Sequence, residues 1–143
     1  MPNRFSLTAL VLLLASLPAF AGTVEVPGKG DPALYVVKVH ADWCGSCKAL
    51  VPVLQEVKTA VADQPALFVE LDVTDEAHTA QSRLLAAALG IEEHLKANNK
   101  TGIVLLIKAA DKSLVETLNK TNPAAEMATK IKGHIAMEAK MAN

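Results

Sequence analysis

The chain has 143 residues, 51% of them hydrophobic and 3% aromatic, with 14 basic side chains against 15 acidic ones. That length suits one ordinary domain and is too short for two. The balanced charge and the lack of a basic stripe argue against a nucleic-acid binder.

Residues 1–21 read as a secretory signal peptide. Arg4 gives a positive start, Leu7 to Leu17 is apolar, and Ala19-Phe20-Ala21 forms a small-x-small cleavage site before Gly22. The apolar stretch is shorter than the ~20 residues a membrane-spanning helix needs, so no stable membrane insertion is expected after cleavage. Removal of Arg4 leaves 13 basic side chains against 15 acidic ones. The mature unit is expected to span residues 22–143. Gly22 to Pro32, with Pro27, Gly28 and Gly30, reads as an irregular lead-in.

Leu34 to His40 (LYVVKVH) is almost wholly apolar and rich in β-branched residues, as a strand buried on both faces should be. From Ser46 to Ala62 the apolar residues Leu50, Val53, Leu54, Val57 and Val61 fall at helical spacing. Pro52 is expected to kink that helix. Ala66 to Val73 is a second strand. Asp75 to Asn98 is a long helical stretch with Thr74 or Asp75 as its N-cap, and Gly90 is placed to break it in two. The run Leu84-Leu85-Ala86-Ala87-Ala88-Leu89 within it is expected to be core. Ile103 to Ile107 and Lys112 to Leu118 read as a hairpin. Asn122-Pro123 opens a last helix with Met127, Ile131 and Ile135 on one face. Strands joined by helices are expected to pair in parallel, and the hairpin to add an antiparallel edge. The fold class is α/β: a four-stranded mixed sheet with helices on both faces.

The only two cysteines, Cys44 and Cys47, lie between the first strand and the first helix, in Trp43-Cys44-Gly45-Ser46-Cys47-Lys48. A C-x-x-C pair in that setting is a redox pair rather than a staple. A sulfur at a helix start sits among free backbone N–H groups at the positive end of the dipole. That favours thiolate, the form that attacks disulfides. The second thiol, one turn on, can then release the partner. Zinc wants four ligands and only one such pair exists, and His78, His94 and His134 show no metal spacing with one another, so no metal site is expected. His94, beside Glu92 and Glu93, is expected to be solvated. Lys48 adds positive charge near the thiols. Lys38 sits mid-strand in an apolar run, which calls for an acidic partner.

At Ala41-Asp42-Trp43-Cys44-Gly45-Ser46-Cys47-Lys48, with Pro52 five residues past the second Cys, the chain resembles the thioredoxin family. The resemblance implies a thioredoxin-like three-layer sandwich, dithiol–disulfide exchange with protein thiols and disulfides, Cys44 as nucleophile and Cys47 as resolving thiol, and Trp43 shielding and packing the motif. It implies no cofactor beyond the Cys44–Cys47 couple itself. Four departures stand out. The family's cis-proline position falls on Gly102, after Thr101, where a trans bond and more open thiols are expected. The family's buried Asp and its facing Lys fall on Lys38 and Glu70, with the charges exchanged. The stretch from Glu70 to Gly102 is longer than a minimal member needs. Leu114 to Lys120 has no glycine.

The expected protein is exported, in a bacterial periplasm, where disulfides are made and edited. W-C-G-S-C-K resembles thioredoxin more than the oxidant members, which favours a reductant. A reductant there needs electrons from a membrane thiol transporter. The alternative is a binding protein whose open dithiol holds Cu(I) or shares an iron–sulfur cluster between two protomers.

Overall fold

The computed structural model describes residues 30–98 and 100–141. The expected signal peptide, and the lead-in as far as residue 29, lie outside the described residues. The elements run β1 (Leu34–His40), α1 (Gly45–Ala60), β2 (Ala66–Asp72), α2 (Glu76–Ala88), α3 (Glu92–Ala97), β3 (Ile103–Lys108), β4 (Leu114–Asn119) and α4 (Ala124–Met141).

The four strands form one mixed sheet in the order β2-β1-β3-β4. Side chains alternate across it. Leu34, Val36, Val104 and Leu106 face α1 and α4, where they pack on Leu50, Leu54, Val57, Met127, Ile131 and Ile135. Tyr35, Val37, Val39, Leu105 and Ile107 face α2 and α3 and meet Ala86 and Ile91. The central strand is therefore apolar on both faces because both are covered. The sandwich has three layers, as expected.

Three expectations about the elements need correction. β1 and β2 are parallel, but β3 runs antiparallel to β1 although helices join it to β2. The cause is the turn at Gly90, whose φ of +72° suits glycine. This turn lies against Lys112 in the β3–β4 connection, at the far end of the sheet. So α2 carries the chain away from the end of β2, and α3 with the following loop returns it. β3 then enters from the edge where β1 ends: the Gly102 N–H donates to the Val39 carbonyl at 2.9 Å.

The Leu-rich run of α2 is not core. Leu84 is 74% exposed, and the buried stripe of α2 is Ser82 and Ala86. Two small residues four apart let the helix lie close to the sheet. The Ser82 hydroxyl donates to the Asp72 carbonyl at 2.7 Å, at the end of β2. His94 is half-buried rather than solvated, with Nε2 2.6 Å from the Lys112 carbonyl oxygen.

Candidate active site

β1 ends at His40, and five residues later α1 begins. The turn between them is closed by the Cys44 N–H donating to the Ala41 carbonyl at 3.0 Å. Cys44 is the N-cap of α1, in extended conformation, and its Sγ accepts from the Cys47 N–H at 3.1 Å. The two sulfurs are joined as a disulfide. Cys44 is 8% exposed and Cys47 fully buried, in a small cluster with Ala41 and Val73. Cys47 Sγ also lies 3.7 Å from the Val39 carbonyl oxygen. Cys44 is thus the more accessible sulfur at the dipole's positive end, and Cys47 the enclosed one.

The expected openness of the dithiol is overturned. No peptide among the described residues is cis, so Thr101–Gly102 is trans as expected. Yet Gly102 is buried and packs directly on the motif. A Cβ there would sit 2.7 Å from Ser46 Cβ and 3.3 Å from Cys44 Sγ. Its φ of +74° is one that proline cannot adopt. Glycine closes the site by approach of bare backbone, and Thr101 is half-buried beside it. Among the described residues no three His, Cys, Asp or Glu side chains are grouped to hold a metal ion.

Trp43 does not pack over the motif either; it is 68% exposed. Its indole N–H donates to the Thr74 carbonyl at 3.1 Å, and the Asp42 N–H donates to the Thr74 hydroxyl oxygen at 2.9 Å. Thr74 in turn donates from its N–H and its hydroxyl to the Asp72 carboxylate. Thr74 therefore ties the motif to the end of β2. Only the fold brings it there, since more than thirty residues separate it from Trp43. The α2 N-cap is Asp75, whose carboxylate accepts from the His78 N–H at 2.9 Å. Gly45 and Lys48 are exposed, and Ser46 is half-buried under Gly102.

Lys38 and Glu70 are register partners on β1 and β2, with Nζ 2.8 Å from Oε2. They pair as expected, but unequally: the Lys38 side chain is 8% exposed and that of Glu70 54%. Lys38 lines a cleft of about 210 Å³ under α1 with Val36, Val51, Leu54, Gln55 and Lys58.

The rim beside the disulfide is acidic and holds two histidines. Burial pushes the Asp72 carboxyl up, but bonds from the Thr74 hydroxyl and amide, with His78 and His40 nearby, bring it below its ordinary value. The backbone and side-chain bonds from His78 lower Asp75. The same contact with Asp75 raises His78, helped by Asp72 and Asp42.

A family model described as thioredoxin matches residues 23–87. A thioredoxin of Echinococcus granulosus is 37% identical over 95 residues, covering 60% of this chain and 85% of that protein. Thioredoxin Asp f 29 of Aspergillus fumigatus is 38% identical over 56 residues, covering 39% of this chain and 46% of that protein. Among solved structures, a thiol:disulfide interchange protein of the thioredoxin family from Chlorobium tepidum TLS superposes with a TM-score of 0.49 at 19% identity, over 71% of this chain and 79% of that one.

Proposed function

This chain belongs to the thioredoxin family and is a thiol–disulfide oxidoreductase, and we propose that it exchanges dithiol for disulfide with protein partners through Cys44 and Cys47. The observation that carries this reading is the placement of Cys44 as both helix cap and outer sulfur. In the reduced state the Cys44 thiolate attacks a partner disulfide. One partner sulfur leaves as a thiolate and the other stays bonded to Cys44. Cys47 then attacks Cys44 Sγ, the internal disulfide forms, and the second partner thiolate departs. Run backwards, the same steps oxidise a partner dithiol. The Cys44–Cys47 couple is the only redox group the cycle requires.

Gly102, with Thr101 and Ser46, shapes the face the partner approaches. Lys38, held by Glu70, places a cation beneath the middle of α1, on the sheet face that α1 covers, where it favours a thiolate at Cys47. Trp43, Gly45 and Lys48 present the exposed rim a partner meets. The protein works after export, in a bacterial periplasm. W-C-G-S-C-K supports a reductant, recharged by a membrane thiol transporter. A Cu(I) or iron–sulfur role loses its motive, because the dithiol is enclosed by Gly102 rather than open.

The test is trapping. Cys47→Ser should accumulate mixed disulfides with partners and Cys44→Ser should not. Equal trapping by both, or faster alkylation of Cys47 than of Cys44, would overturn the assignment of roles. The reduction potential decides direction: near about −270 mV for a reductant, near about −120 mV for an oxidant.

A further inference from the structure

Cys47 presents the exchange cycle with a proton problem. It is fully buried, so bulk water does not reach its sulfur. The Val39 carbonyl oxygen lies 3.7 Å from it. A carbonyl can accept a bond from the reduced thiol but cannot take its proton, so that contact favours the unreactive form. Lys38, deeper in the sheet, is an ammonium already bonded to Glu70 and has no lone pair to offer.

His40 does. Alternation along β1 puts it on the α1 face with Val36 and Lys38. Lys38 lies at the level of Val51, Leu54 and Gln55 of α1. Two strand residues advance about 6.6 Å, which is roughly four residues of helix. α1 runs back from the end of β1, so His40 falls at the level of Cys47 and Val51. Its side chain is 14% exposed, and Nε2 lies 3.1 Å from Asp42 Oδ1. A carboxylate there takes the ring N–H, which leaves Nδ1 as the lone-pair nitrogen. Nδ1 is buried and has no hydrogen-bond partner among the described residues. A buried acceptor left unpaired is costly, and a proton taken from a neighbouring group would satisfy it.

Resting on the exchange reading above, we propose that His40, oriented by Asp42, is the proton acceptor for Cys47 in the resolving step. In the mixed disulfide, Nδ1 takes the Cys47 S–H proton. The thiolate attacks Cys44 Sγ, the Cys44–Cys47 bond forms, the bond from Cys44 to the partner breaks, and the partner sulfur leaves with the electron pair. The imidazolium proton passes to the departing thiolate or to solvent at the Asp42 side. The groups that set its charge are Asp42 on the loop, Asp72 opposite on β2 with His78 and Asp75 behind it on α2, Lys38 on its own strand, and the exposed Lys48 on α1. β3 carries no titratable side chain from Ile103 to Ile107, and α4 turns Met127, Ala128, Ile131 and Ile135 inward.

The test uses the reduced full chain and an aromatic disulfide, 5,5′-dithiobis(2-nitrobenzoate), whose thiolate is coloured and needs no proton to leave. Attack by Cys44 releases one thiolate, and resolution by Cys47 releases a second in a separate phase. In the wild type the second phase should quicken with pH along the His40 imidazole titration followed by NMR. His40→Asn should slow that phase about 100-fold at neutral pH, the low end of general-base effects, and abolish the inflection. Asp42→Asn should slow the second phase as well, because the ring is no longer held with Nδ1 as its lone-pair nitrogen. Asp42 is exposed, so this variant decides the matter if His40→Asn does not fold. A second phase as fast as the wild type's in both variants, or in Asp42→Asn alone where His40→Asn is unfolded, overturns the role of His40 and leaves exchange standing. A wild type that never releases the second thiolate overturns both.

Discussion

Gly102 is the residue on which the closed form of the site depends. Its φ of +74° and the 2.7 Å approach to Ser46 mean that even one methyl group is excluded. A non-glycine residue held at such a φ costs about 1–3 kcal/mol. Gly102→Ala should lower the stability of the oxidised protein by at least that much, as read by denaturant unfolding, and should change the alkylation rate of Cys44 in the reduced protein. Unaltered stability would mean that the 101–102 loop moves freely, and that backbone approach does not close the site. Lys38 and Glu70 invite an asymmetric result. Glu70→Leu leaves a buried ammonium without its carboxylate and should cost about 1–3 kcal/mol. Lys38→Met leaves a half-exposed carboxylate that water can solvate, and should cost little. The double variant should recover much of the Glu70→Leu loss while raising the Cys47 pKa. A double-mutant cycle with thiol titration checks this; simple additivity with an unmoved Cys47 would separate the two residues.

At the scale of elements, the start of α2 is the pH-sensitive joint. His78, raised above its ordinary 6.5 by Asp75, contributes stability that is full below its unfolded value and fades as pH climbs through the raised one. Asp75, lowered by His78, contributes stability present above its unfolded value and lost as pH falls through the lowered one. The joint should therefore be strongest in the mildly acidic range between them. Asp75→Ala should depress the melting temperature most there, less at high pH where only the cap to the His78 N–H remains, and least in acid where the carboxyl is protonated. A depression independent of pH would mean that capping alone matters at this helix start. The sequence carried the element pattern well: Leu34–His40 is one strand with the expected bounds, and Gly90 divides α2 from α3. It misled where bulk was taken for inwardness. Leu84 and Leu85 look like core by composition, but the face of α2 that meets the sheet is set by Ser82 and Ala86. The antiparallel entry of β3 was equally hidden, because it depends on where the Gly90 turn lands in space.

At the scale of the molecule, the cysteine pair was legible because both residues sit within one turn of helix. The Lys38–Glu70 pair was legible because strand register is regular. The anchoring of Trp43 by Thr74 and the closing of the dithiol by Gly102 were not. Each joins parts of the chain that only the sheet brings together, and no local pattern encodes it. The proposed export concerns the whole chain as well: the mature protein should begin at Gly22, and amino-terminal sequencing of secreted material checks it. A chain that keeps Met1 and stays in the membrane would contradict both cleavage and the proposed compartment. The cap of α1 has one more consequence. Serine, threonine, aspartate and asparagine hold a helix start best, yet this one is held by sulfur, a weaker acceptor. Once the disulfide opens, the cap becomes a thiolate that accepts the Cys47 N–H with a full charge, so the firmness of the first turn is tied to whether Cys44 carries a proton.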